Sequence, residues 1–571
     1  MPLSIKNGFK TGLKNPPLKF SSMKKLIFLG FACLLAFSLC SRKSGQTSNQ
    51  NNTGLANSQK VSVLTQHNNF KRTGWNSQET SLNIQNVNST QFGKLFTLMV
   101  DDQVYAQPLV FGGLNIGGAV HNVVFIATVS NTVYAFDGTN GTLYWQKNYT
   151  VSGLRPPRNS DMTGACGGSY FDFTGNIGIV GTPVIDSASQ SMFFVARSTN
   201  GNNFYQYLHK ISLSTGAEMA GSPVKIAATY PGTGNGNVNG IISFDPQKSN
   251  QRAALTISQG VVYITTSSHC DWGPYHGWVL GYNTSSLQQQ YVFNTTPNDA
   301  NGGIWQSGGG MAVDDNGNLY TGIGNGGGVV SPLDGKDFGQ SAIKLTPSGN
   351  NLTVASYFTP RNFKALDEYD LDFGSFGSFL IPNSSYLFTG GKDGNMFLLN
   401  KDNMGGFDST TNHVYQDVFL NVPNGEFHTL PAFYAGTAGA YIYIWSENDV
   451  LRAIPFNTTT QVLNGNGQIL GKSGPIGGNG ANISVSSNGS NDNSAIVWTT
   501  YAGSNCDAGH TNCAGILQAF SATNPNNLLW SSDANSQDAV GVYAKFNSPT
   551  VANGHVYVAT FSGRVDVFGL K

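Results

Sequence analysis

Charged side chains are scarce in this sequence. Only 11% of its 571 residues are Asp, Glu, Lys or Arg, and 31 acidic side chains balance 31 basic ones. A net charge of zero removes the long-range attraction that brings proteins to nucleic acid or anionic lipid, so neither is expected as a partner. The apolar run Leu26 to Leu39 is about 14 residues long, short of the ~20 that span a bilayer. Cysteine is sparse, and none of its spacings is that of a structural zinc site. No Gly-x-Ser-x-Gly elbow and no Ser-His-Asp order stands out. After the apolar run no helical period appears.

Turn formers and pleat formers are abundant. Seventy glycines accompany many Asn, Ser and Thr residues, and hydrophobic residues make up 39% of the chain. Much of that share is aromatic or β-branched, as half-buried pleated surfaces prefer. The composition is that of a large all-β protein.

The first segment reads as a leader. Lys24 and Lys25 follow Met23 and precede the apolar run, the pattern of a signal peptide, so residues 1–40 are expected to direct export. The true start could equally be Met23. Cys40 stands where a bacterial lipoprotein carries its lipidated cysteine, although Leu39 takes the place of the usual small residue. Lipidation at Cys40 and plain secretion both stay open: periplasmic, outer-membrane-anchored or extracellular. A lipid anchor would be the chain's one tie to a membrane. Residues 41–60, rich in Ser, Asn, Gln and Gly, read as a flexible tether.

An internal repeat organises the rest. Eight inner strands align: Gln107–Val110, Thr182–Ile185, Ala254–Ile257, Gly310–Val313, Ser378–Ile381, Pro431–Tyr434, Asn482–Val485 and Ser548–Val551. Each leads into a second apolar run, such as Met192–Arg197 or Val261–Thr266, of the kind that is buried on both faces. Asp314–Asn318 reads as a tight turn rather than a calcium loop. The last unit has three clear strands, and Gly93–Val100 is a spare one ahead of the first. Pairing the two would close a ring and remove its open edge. The expected fold is an eight-bladed β-propeller over 61–571, monomeric, its last blade completed by an N-terminal strand.

Val133-Tyr134-Ala135-Phe136-Asp137, followed by Asn140-Gly141-Thr142-Leu143-Tyr144-Trp145, resembles the PQQ-type propeller repeat. In that repeat an Asp turn ends the third strand and a Trp sits between blades. Leu517–Phe520 with Leu528-Leu529-Trp530 is a partial second copy. The sequence is therefore similar to the quinoprotein alcohol dehydrogenase-like superfamily. The order of "QHNNFKRTG", "VYAQPLV", "GTPVID", "SHCDWGPYHGW", "GIWQSGGG" and "GGKDG" resembles a group of exported PQQ-like propeller proteins with no established activity. The family's enzymes carry adjacent cysteines over the cofactor, a stacking Trp, calcium and an Asp base. No two cysteines are adjacent here, and no CxxCH haem site is present. Trp305, Asp271 and Asp372 are the residues left for the other roles, and PQQ and calcium are implied as cofactors under that reading alone. Other eight-bladed relatives are non-catalytic envelope scaffolds, some of them lipoproteins.

In a propeller, the loops joining second to third strands share a face with the loops between blades. This chain places its extra length there, in Val151–Gly178, Ser268–Trp278, Gly302–Ser307 and Arg361–Asp372. Long loops on a rigid scaffold are where binding sites form. His269, Asp271, Trp272, Tyr275, His276, Trp305, Gln306 and Asp372 are the ligand-binding candidates. They suit a small organic molecule such as a sugar or quinone, a glycan or a protein; no metal site is assigned. Against that, Trp272, Tyr275 and Trp278 could instead fill the gap between blades, with the imidazoles bonded to backbone. Asp367, Glu368, Asp370 and Asp372 read as a solvated rim, paired if at all with Lys364 or Arg361. Cys506–Cys513 would close a short loop. Cys166 and Cys270 lie on adjacent blades of the long-loop face and could pair, or remain packed thiols.

Overall fold

Short apolar segments punctuated by Gly, Asn and Asp turns have no way to bury both faces except against copies of themselves. In the computed structural model, which describes residues 60–327, 335–422, 425–474, 476–503 and 506–571, they form eight antiparallel sheets that build a β-propeller. The leader, Cys40 and the tether read from the sequence lie outside the described residues. Blade one, for example, runs Leu109–Ile116, Ala119–Ala127, Thr132–Asp137 and Leu143–Asn148. The inner strands of the next seven are Val184–Asp186, Thr256–Ser258, Ala312–Val313, Phe379–Leu380, Ala432–Ala435, Asn482–Ser486 and Thr550–Ala552. All eight overlap the inner strands expected from the repeat.

The closing strand is also as expected. Phe92–Met99 pairs antiparallel with Arg564–Leu570, which continues through His555–Ala559 to Thr550–Ala552. Closure matters energetically because an open eighth sheet would expose unpaired backbone and one apolar face. Asp314 forms the anticipated tight turn, its Oδ1 accepting from the backbone N–H groups of Asn316 and Asn318.

The core lies between blades rather than inside one. Val133 and Ala135 of blade one share a cluster with Phe194 and Ile211 of blade two. Tyr134 and Val124 share another with Tyr557 and Val567 of blade eight. The repeat tryptophans act at these seams. Trp145 donates to the Leu213 carbonyl (3.0 Å), and a Cβ on Gly216 would stand 2.7 Å from its ring. Trp530 meets Phe92 edge to face at 5.0 Å.

One feature was not anticipated. The segment from Val63 to Gln78, noted in the sequence only as part of a family resemblance, visits the inner strand of every blade in turn. Val63 bonds Val110; Leu64 accepts from Ile185; Phe70, Lys71, Thr73 and Gly74 accept from Val313, Leu380, Phe433 and Val485. Arg72 reaches Leu255, and Asn76 donates to Val551. Trp75–Asn76 even forms a short parallel pairing with Val485–Ser486. The segment thus lies across the ring axis and satisfies backbone groups that eight converging strands leave open.

Among the described residues there is one α-helix, Phe363–Glu368, where none was expected. Six residues leave too little periodicity to be read from sequence. No helix among the described residues is long and apolar enough to cross a membrane.

Candidate functional site

A cavity of about 360 Å³ opens on the long-loop face. Its wall is assembled from the connections between successive blades: Arg252 leads into blade three, Trp305 into blade four, Asp372 into blade five, His428 into blade six and Lys545 into blade eight. Asp271, Asp370 and Phe546, all in the wall, hold left-handed backbone with φ of 46°, 56° and 62°. That conformation is unfavourable for a bulky side chain such as Phe, and such strain concentrates at functional sites.

One side of the cavity is an organised acid–base network. Asn325 joins three carboxylates: its Nδ2 donates to Asp271 (3.1 Å) and Asp370 (2.6 Å), and its backbone N–H to Asp372 (3.0 Å). The Lys392 ammonium stands between Asp370 and Asp372, 3.1 and 3.0 Å from their oxygens. Burial pushes the Asp372 carboxyl up, and the Lys392 charge beside it pulls the other way. Lys392 is itself held above its ordinary value: burial works against the charge, and Asp372 and Asp370 outweigh it. Tyr275 donates to Asp271. His428 bridges Glu426 and Glu447, both at 3.1 Å; burial opposes its protonation, but those two hydrogen bonds leave the net shift upward.

The other side carries cations without such partners. Arg252 is 8% exposed, and its guanidinium lies 4.6 Å from the Phe546 ring centroid and 5.5 Å from that of Tyr105. Among the described residues its Nε finds no hydrogen-bond partner. Lys545, 5% exposed, donates to the Gly509 carbonyl. Burial, with a further push from Arg252, lowers its pKa to about 7, while Asp172 and Asp507 act weakly in the opposite sense.

That shift fixes a sign. Between pH ~7 and the ordinary lysine value of ~10.4 the unfolded chain binds the proton and the folded one does not, so stability rises with pH across that window. Lys545→Met should remove this part of the slope. Urea denaturation of both proteins at pH 7 and pH 10 checks it: parallel changes would mean that Lys545 is not the buried cation responsible.

The structure brings Asp271, Tyr275, Trp305 and Asp372 together at the cavity. The other four candidates do not line it, and the polar atoms of three of them are already engaged. His269 is fully buried behind the wall; Nε2 faces the Arg197 guanidinium (2.7 Å) and Nδ1 the Tyr170 hydroxyl (2.6 Å). Arginine only donates, so Nε2 accepts, and burial holds the ring neutral. His276 Nε2 donates to the Asn235 carbonyl (2.8 Å). Gln306 accepts from the Gly322 backbone (3.2 Å). Trp272 covers Gly164 and lies 5.5 Å from Lys248, away from the cavity.

The acidic cluster is corrected as well. Asp372 is 8% exposed and lines the cavity, and Asp367 accepts from Gly326 and Gln340, so neither belongs to a solvated rim. The cationic neighbour of Asp370 and Asp372 is Lys392 instead of Lys364 or Arg361. Arg252, Lys392, Asn325 and Lys545 escaped sequence reasoning because each sits alone in an ordinary-looking loop. Both expected disulfides form: Cys166–Cys270, with Cα atoms 5.4 Å apart, and Cys506–Cys513 at 5.9 Å. Among the described residues no three His, Cys, Asp or Glu side chains are placed to share a metal.

No protein family matches this sequence, and no curated protein matches it. Solved structures do. The quinohemoprotein alcohol dehydrogenase of Pseudomonas putida HK5 is 12% identical, aligning over 89% of this chain and 80% of its own with a TM-score of 0.57. The enzyme of the same description from Comamonas testosteroni gives 13%, 90%, 81% and 0.55. A europium-containing methanol dehydrogenase gives 11%, 90%, 98% and 0.57. The chain has the propeller fold of the quinoprotein dehydrogenases.

Proposed function

We propose that this chain is a non-catalytic binding propeller that takes a small organic molecule into the axial cavity of its long-loop face. One observation carries the reading: Tyr275, Trp305 and Phe546 converge with Asp271, Asp372, Lys392, Arg252 and Lys545, from loops of separate blades, on one cavity of about 360 Å³. A recess with an aromatic wall and a few convergent polar groups is the ordinary form of a small-ligand site. The likeness of residues 1–40 to a leader and the two disulfides support export, since such bridges persist in oxidising compartments.

The fold raises a second reading, a PQQ- and calcium-dependent dehydrogenase of alcohols or sugars, favoured by Trp305 and Asp372 lining one cavity. Calcium wants six or more oxygen ligands. Here the Lys392 ammonium already occupies the position between Asp370 and Asp372 where a divalent cation would need to sit. The donor set does not fit, and no reaction is built on it.

The test compares two tryptophans. Trp305→Ala should weaken binding of a sugar or quinone probe by about tenfold or more, as loss of a central aromatic contact does, with the unfolding midpoint little changed. Trp272→Ala should leave binding intact and cost about 1–3 kcal/mol of stability through lost packing. Tight uptake of PQQ with Ca²⁺, accompanied by dye-linked alcohol or sugar oxidation, would instead establish the enzyme.

A further inference from the structure

Burying a cation without an anion costs several kcal/mol, and folded chains seldom leave one in that state. Arg252 comes close to that state. Among the described residues it makes no hydrogen bond and no ion pair: the rings of Tyr105, Phe173 and Phe546 pack around its guanidinium, Asp172 in the same lining acts on it only from a distance, and its Nε is unsatisfied at the edge of the cavity. Lys545 lies close enough to repel it and offers the cavity an ammonium whose protein contact is a single carbonyl. Arg72, Arg197, Lys210, Lys344 and Lys392, the other buried cations among the described residues, each have hydrogen-bond acceptors in the protein. The unmet need is therefore local to one wall.

The opposite wall asks for something different. Asp271 and Asp370, held in place by the Asn325 amide, present carboxylate oxygens of the kind that accept from hydroxyl groups, and Trp305 lies on the same lining, 5.8 Å from Phe546 and 5.9 Å from the Lys392 ammonium. An indole beside polar acceptors suits the mixed apolar and hydroxylated surface of a sugar ring.

We infer that the ligand is a uronic acid or a glycan ending in one, with its carboxylate held by Arg252 and Lys545, its hydroxyls turned to the Asp271–Asn325–Asp370 wall and its ring against Trp305. Guanidinium and carboxylate match as a two-point fork, which gives direction as well as charge. The assignment rests on the cavity being a small-ligand site and adds the ligand's chemistry to it.

Titration calorimetry on the full chain with D-glucuronate, D-glucose and inorganic sulfate, repeated on Arg252→Gln and Trp305→Ala, tests it. Glucuronate should bind at least about tenfold tighter than glucose, and Arg252→Gln should weaken glucuronate by about 30-fold or more while scarcely affecting glucose. The melting temperature of ligand-free Arg252→Gln should be unchanged or raised, because a desolvated charge has been removed; a marked fall would show a structural arginine and overturn the inference. Equal binding of the two sugars, insensitive to Arg252→Gln, would overturn the carboxylate subsite and leave the cavity reading standing. Sulfate competing as well as glucuronate would reduce the wall to an inorganic-anion site and overturn the sugar assignment. If none of the probes binds, both readings fall.

Discussion

Arg72→Met should destabilise the propeller by about 3–5 kcal/mol, the range for truncating a buried, hydrogen-bonded charge. The Arg72 guanidinium makes five hydrogen bonds: to the carbonyls of Met311 (3.1 Å), Gln66 (2.7 Å) and Leu255 (3.2 Å), and to the hydroxyls of Thr65 (2.7 Å) and Thr256 (2.6 Å). It thereby ties the axial segment to blades three and four at once. Burial lowers its pKa to about 9, so the cation is held where water does not reach it. Removing it strands carbonyls that each cost about 1–3 kcal/mol when left unpaired. Arg72→Lys should recover little, because one ammonium cannot span acceptors that a planar fork reaches on several sides. Equilibrium urea denaturation measures both. A loss below ~1 kcal/mol would mean that the segment rests on the ring without bracing it.

The second large effect is expected from the disulfides, and its size depends on which one is removed. Cys166 and Cys270 are 104 residues apart, Cys506 and Cys513 seven. Restriction of the unfolded chain predicts about 4.7 kcal/mol for a loop near 100 residues and about 2.5 kcal/mol for one of this short length. Cys166→Ser with Cys270→Ser should therefore cost roughly twice as much as Cys506→Ser with Cys513→Ser, and a reductant should act on the wild type as both changes together. The long bridge should also affect binding. Cys270 borders the cavity directly before Asp271, so freeing its loop loosens the wall that carries Asp271 and Tyr275. Equal losses from the two pairs would show that native-state contacts, and not chain entropy, set their contributions.

Much of the architecture was legible because it is repeated. Each inner strand with its following apolar run is a local signal, and eight occurrences correct one another's errors. The spare strand Gly93–Val100 could be matched to the incomplete last blade by counting alone. The same blade map put Cys166 and Cys270 on adjacent blades, where they could pair or stay free thiols, and the structure pairs them. Four of the eight proposed site residues, Asp271, Tyr275, Trp305 and Asp372, meet at the cavity for a related reason: they lie in conspicuously long loops. His269 and His276 do not line it, and a sequence shows that an imidazole is present but not which partners have already engaged its nitrogens.

What the sequence alone determined, then, is the module, its number and how the ring shuts, since those depend on short-range patterning and on the requirement that apolar faces and strand edges be covered. Tertiary structure alone decided what meets at the axis. Arg72 among the inner strands and Arg252 beside Lys545 are juxtapositions of residues from separate blades, and Lys392 between two aspartates joins separate loops of blade five. Closing the ring brings such residues within a few ångströms of one another, and their charges interact strongly there because water is excluded. No spacing along the chain encodes that proximity, so the chemistry of the cavity became visible only in three dimensions.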